Sequence, residues 1–220
     1  MSEDGEPRSV GDEMDPEERG WLSWVSPHYR RCDFPGEGLT EEHEVSVFAD
    51  RVWGWQLDVA VRLLEADRHS DYAVLAIVAS YFEMIGKHLE GFEGHGASEK
   101  HFLIGFRDVF ADRPPEETER IGGRIYEAVR CGLYHDGVTG AGIAVAGRDD
   151  PHGYKEQPDA DGNVELMIKP GAILDRVRLH FASYVGELLA DPKSDKRARF
   201  LRRFRSVHGG PPPDEPKTSP

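Results

Sequence analysis

DYAVLAIVASYFEMIGKHL, residues 71–89, decides the fold of this chain. Val74, Leu75, Ile77, Val78, Tyr81, Phe82, Ile85 and Leu89 cover most of a helix circumference. A helix apolar on nearly every side belongs at the centre of a bundle. Ser70 or Asp71 stands where a side-chain cap of its first turn is expected, and Gly91 with the GFEGHG segment ends it. Upstream, Val45, Phe48, Val52, Trp55, Val59 and Leu63 recur three or four apart. They predict one amphipathic helix over residues 41–66, weakened but not broken by Gly54. Downstream, Ser98 opens a third helix carrying Phe102, Phe106, Val109 and Phe110, which stops near Pro114 and Pro115. Those prolines suit the first turn of a fourth helix, where a missing N–H costs little.

The fourth helix is expected over residues 115–135, with an apolar seam of Ile121, Ile125, Ala128 and Gly132 that runs on to His135. After Gly137 the composition turns to Gly, Ala and short apolar runs. Residues 143–146 and 164–168 are expected to pair as a small hairpin across a long loop, 147–163, rich in Asp, Pro and Gly. Helical spacing returns with Leu174, Val177, Phe181, Val185 and Leu188, and a basic helix over 193–207 follows. No internal repeat of fixed period is present. The fold class is therefore mainly α, a bundle of about five to six helices with a small β-hairpin insertion. One domain, 21–207, is expected between an acidic tail, 1–20, and a tail rich in Pro and Gly, 208–220, both disordered by composition.

The net charge of −14 is unevenly spread. Residues 1–20 hold eight acids against two bases, whereas 193–205 hold seven bases against one acid. The body between them remains acidic, which argues against a broad electrostatic grip on nucleic acid and confines any RNA contact to a local patch. No apolar run approaches the roughly 18 residues of a membrane span, and the acidic N-terminus lacks the basic-then-apolar order of a signal peptide. A cytoplasmic protein with no membrane contact is expected. Cys32 and Cys131 are the only cysteines, too few for a disulfide scaffold.

The stretch richest in chemistry is VRCGLYHDG, residues 129–137. Arg130 is always cationic and His135 can exchange protons near neutral pH. A fixed cation beside a proton carrier is what metal-free phosphodiester cleavage requires. On an ideal helix five positions correspond to about 140° of rotation, so the two side chains converge only if the last turn unwinds near Gly132. The structural alternative is an arginine lying over Tyr126 and Tyr134 and a histidine closing a helix end. Glu83 is the lone acid of the central helix. It suits either an (i, i+4) pair with Lys87 or a carboxylate that orients Arg130 or His135.

YEAVRCGLYHDG, preceded by several helices of which one is very apolar, resembles the HEPN superfamily, whose shared signature is Arg, four to six residues, then His. The likeness is specific over residues 129–137 and loose over about 40–190. The resemblance implies an all-α homodimer that brings two motifs into one composite site and cleaves RNA without a metal or cofactor, leaving 2′,3′-cyclic phosphate ends. It implies that His135 moves the proton and Arg130 stabilises the phosphorane, with Glu83 behind them. It also implies a toxin or phage-defence role with a neutralising partner protein. The chain departs from the family at Cys131, where active members usually carry a polar residue. That departure favours the alternative, a catalytically silent HEPN-like module that binds RNA, a nucleotide or a partner.

The basic helix offers Arg197, Arg199, Arg202 and Arg203 as bidentate phosphate contacts, or else forms a solvated amphipathic surface packed by Phe200 and Phe204. Tyr29, Arg30 and Arg31 form a smaller basic-aromatic patch. Other matches fail on chemistry. DADGN, residues 159–163, opens like a calcium loop but places Pro170 where a bidentate Glu is required. The ten histidines lack HExxH or cysteine partners at zinc spacing. GFEGHG lacks the Walker lysine-hydroxyl ending, and no Gly-x-Ser-x-Gly elbow occurs.

Overall fold

A computed structural model describes residues 25–30, 39–67, 69–145 and 153–208. The expected tails, Arg31, Cys32 and the first part of the 147–163 loop lie outside the described residues. His208, assigned to the tail, is instead the last residue of a helix.

Thr40 and His43 form a reciprocal capping box, with Glu41, Glu42 and Glu44 in the first turn, where the helix dipole favours acids. Glu41–Val52, a π turn at Trp53–Leu57, and Asp58–Ala66 run on as one helix, α1. Asp71–Glu90 is α2, Ser98–Val109 is α3, and Pro115–Ile125, a π turn at Tyr126–Cys131 and Gly132–His135 together make α4. Pro170–Ala190 is α5 and Asp195–His208 is α6. The protein is thus a mainly helical bundle with a small β insertion. None of the described helices is long and apolar enough to cross a membrane.

α2 is the hub, packed by α1, α3, α5, α6 and the π turn of α4. Val74, Leu75, Val78, Tyr81, Phe82 and Ile85 are buried on it, as expected. The Phe82 ring meets Phe102 and Phe106 edge-on at 5.3 and 5.2 Å, an arrangement that aromatic quadrupoles favour. The tightest crossing is between α2 and α3. A Cβ on Gly86 would lie 1.9 Å from the His101 carbonyl oxygen, and one on Gly105 would lie 2.0 Å from that of Phe82. Only glycine lets these backbones meet. Ser70 does not cap α2 with its side chain. Its hydroxyl instead donates to the Leu63 and Asp67 carbonyls at 2.8 and 2.6 Å, closing the end of α1.

The insertion is a three-stranded sheet of Ile143–Val145 (β1), Tyr154–Pro158 (β2) and Val164–Ile168 (β3), ordered β1-β3-β2. The two predicted strands do pair, but in parallel, with Ile143 opposite Leu166. The hairpin is made by β2 and β3, with Tyr154 opposite Ile168. YKEQP carries no apolar alternation and ends in proline, so β2 is inconspicuous in the sequence and sits on the sheet edge, where proline is tolerated. DADGN is its turn, in which Asp159 Oδ1 accepts the Asp161 and Asn163 N–H groups at 2.9 and 2.8 Å. Glu156 accepts hydrogen bonds from Arg120 and Arg124 and so joins β2 to α4.

Candidate functional site

The two π turns displace the faces that helical periodicity predicts. In α1 the buried positions step from Val52 to Leu57 and then to Ala60. The extra residue moves the seam on by one, so Trp55, expected in the core, is 52% exposed. In α4 the buried positions are Thr118, Ile121, Gly122, Ile125, Val129 and Gly132, with Val129 in place of Ala128. His135, expected on the seam, is exposed together with Tyr134 and Asp136.

The helix does not unwind at Gly132. It widens before that residue, resumes as α, and ends at Gly137 in the left-handed region with φ +73°. Gly132 packs on the returning loop, since a Cβ there would lie 2.6 Å from the Val138 carbonyl oxygen. The loop is held by Gly140 N–H donating to the Ala128 carbonyl at 2.7 Å.

On this frame Arg130 Nη2 donates to Glu83 Oε2 at 3.1 Å. The other carboxylate oxygen of Glu83 accepts from Lys87 Nζ at 2.6 Å and from Ser98 Oγ at 2.9 Å. Glu83 is therefore bonded both to Lys87 on its own helix and to Arg130 on α4. Burial pushes its carboxyl up, but the bonds from Lys87, Ser98 and Arg130 outweigh that and hold it below the usual glutamate range. Among the described residues Glu83 is the one hydrogen-bond partner of Arg130. The guanidinium also lies 4.9 Å from the Tyr134 ring centre. That ring meets His135 edge-on at 5.1 Å. Arg130 and His135 are thus held on the same aromatic side chain without a direct bond between them. Next to Arg130, Cys131 is a free thiol of intermediate exposure. Burial and the adjacent Cys131 thiol raise the pKa of the Tyr126 hydroxyl.

The four arginines of α6 offered as phosphate contacts have separate fates, and the fifth, Arg205, is paired with Glu44 at 2.8 Å. Arg197 is 2% exposed, and its Nη1 donates to the Leu188 carbonyl at 3.2 Å, so it closes the end of α5 and is not available to a phosphate. Arg199 is half-buried, with its backbone 3.0 Å from where a Cβ of Gly91 would stand. Arg202 is exposed near Glu93 at 3.8 Å. Arg203 donates to the Phe92 carbonyl at 2.9 Å and lines a cavity that also contains Glu83 and Lys87. Phe200 and Phe204 pack inward as the amphipathic reading requires. Arg130 lies over Tyr134 and His135 is the last residue of its helix, as the structural alternative has it, whereas Ser98 as a ligand of Glu83 was not anticipated. Nothing in the spacing marks Ser98, since its partner lies on a different helix.

Among the described residues no group of three or more His, Cys, Asp or Glu side chains is placed to hold a metal ion. No family model, curated protein or solved structure matches this chain.

Proposed function

We propose that this protein is a metal-independent endoribonuclease of HEPN type, acting as a homodimer in which two copies of the Arg130–His135 motif share one site. The observation that carries the reading is Arg130, oriented by a carboxylate from the central helix and held on the same tyrosine ring as a solvent-exposed histidine. In this reading His135 accepts the proton of the 2′-hydroxyl as that oxygen attacks phosphorus. Arg130 stabilises the phosphorane, and His135 of the second copy returns a proton to the departing 5′-oxygen. The products are a 2′,3′-cyclic phosphate and a free 5′-hydroxyl. A toxin or phage-defence role with a neutralising partner fits such an activity.

Incubation of the purified protein with single-stranded RNA in EDTA tests this. Cleavage is expected, and Arg130→Ala and His135→Ala each remove it while the protein stays folded. Cutting that survives both substitutions, or a monomer by light scattering at micromolar concentration, sinks the composite site. A second reading, a silent module that binds RNA, a nucleotide or a partner, is favoured by Cys131 and by the partial neutralisation of Arg130 by Glu83. It predicts RNA binding without cleavage.

A further inference from the structure

A cavity of about 490 Å³ opens between α1, α2 and α6. That volume lies in the range of small-molecule sites. Its wall carries Arg51, Lys87 and Arg203, with Glu83 as the only carboxylate among the described lining residues. Glu83 is already matched to Lys87 at 2.6 Å. Neither arginine makes a direct hydrogen bond to a carboxylate among the described residues, although Glu83 acts on Arg203 at longer range. Arg51 donates to the Val25 carbonyl and to the His208 ring, and Arg203 donates to the carbonyls of Phe92 and Gly94. Elsewhere in this acidic chain Arg120, Arg130, Arg176 and Arg205 each meet a carboxylate.

The imbalance is reinforced by what surrounds it. Burial lowers the pKa of both guanidinium groups, and Arg203 Nε is buried with no hydrogen-bond partner. His88 and His208 are pushed down to about 4, by burial first and then by the arginine cations beside them, so both are neutral at physiological pH. Among the described lining residues three cations thus face the single carboxylate of Glu83, which acts on Arg203 as well as on Lys87, and a bound anion relieves that surplus of partly buried positive charge. The same wall presents Trp55, half of whose side chain is exposed because the π turn has rotated it off the core. An exposed indole beside guanidinium groups bonded only to neutral acceptors offers a stacking face next to an anion site.

We propose that this cavity binds a nucleoside monophosphate, with the phosphate facing Arg51 and Arg203 and the base stacked on Trp55. The site uses neither Arg130 nor His135, although Glu83, which bonds Arg130, also lines its wall. The same chemical group occurs on a free nucleotide and on the phosphorylated end of an RNA strand.

Calorimetric titration of the full chain with AMP, adenosine, inorganic phosphate and a 5′-phosphorylated pentanucleotide tests the assignment. Saturable one-to-one binding of AMP is expected, tighter than that of adenosine or phosphate alone. Loss of one stacking partner is expected to weaken it about tenfold in Trp55→Ala. Arg51→Gln should weaken it similarly. Trp55→Ala alters an exposed side chain, so it decides the matter even if Arg51→Gln does not fold. AMP bound more tightly than the pentanucleotide identifies a free nucleotide as the ligand. A tighter pentanucleotide that displaces AMP identifies an RNA end, and either result upholds the site. No saturable binding of AMP or pentanucleotide up to roughly millimolar concentration overturns it, as does binding that Trp55→Ala leaves unchanged. AMP binding should persist in His135→Ala, whose side chain does not line the cavity, so failure here and failure of the ribonuclease reading are separable.

Discussion

The π turns of α1 and α4 make the same local distortion with different support. At Trp53–Leu57 the wide turn has Gly54 against the peripheral 25–30 segment, where a Cβ would meet Pro27 Cγ at 2.5 Å. At Tyr126–Cys131 the wide turn is followed by Gly132, locked onto a loop that is itself hydrogen-bonded back to Ala128. The first turn moves an aromatic ring out of the core, and the second sets a cation and an imidazole around one tyrosine. One extra residue per turn rotates a helix face, and what backs the turn decides how firmly the new face is held.

The largest expected effect tests what the α4 turn presents. Arg130→Ala and His135→Ala should each reduce RNA cleavage by about 10²-fold or more, measured as initial rate on a fluorogenic RNA. A matching loss in melting temperature would instead mark these residues as structural. Next, Gly132→Ala should destabilise the protein by about 2 kcal/mol in urea titration, because the new methyl group displaces the Val138–Gly140 backbone. An unchanged midpoint would show that the loop is not a rigid backstop.

Glu83→Gln sharpens the comparison through pH. The folded-state pKa of Glu83 lies below its ordinary value of 4.5. Its contribution is therefore fully present above about pH 4.5 and is lost as pH falls through the folded value. Denaturation at neutral pH should show the variant about 1 to 2 kcal/mol less stable, with the gap narrowing below pH 4.5. A gap that widens on acidification contradicts the assignment. The smallest effect is expected at the α1 turn. In Gly54→Ala a helix-propensity gain of about 1 kcal/mol opposes displacement of the 25–28 segment. The net change in stability should stay within about 0.5 kcal/mol, readable as a near-constant urea midpoint.

Much of the bundle was legible because its signals are local and redundant. α2 declares itself by apolar residues all round, and Pro115 and Gly91 stand at helix ends where glycine and proline are expected. The motif was legible as a pair of residue types, and Glu83 as an acid out of place. Trp55 and His135 were assigned to apolar seams and are exposed, since a period of 3.6 cannot anticipate an inserted residue. Arg197 read as a surface cation and is buried, because the Leu188 carbonyl that it satisfies belongs to the preceding helix. β2 was missed because an edge strand with polar residues lacks the alternation that marks a buried one.

By itself, then, the sequence determined the helical class, the central position of α2, the glycine and proline boundaries, and the presence of Arg130, His135 and Glu83. Each of these depends on side-chain type and on spacing within one segment. Only the tertiary structure decided that Glu83 reaches Arg130 from another helix, and that Arg51 and Arg203 share a cavity whose one carboxylate among the described residues is Glu83. Those outcomes depend on helix rotation at the π turns and on which helix packs beside which. Such quantities are set by the balance of packing and charge over the whole bundle and are not encoded in any single stretch of it.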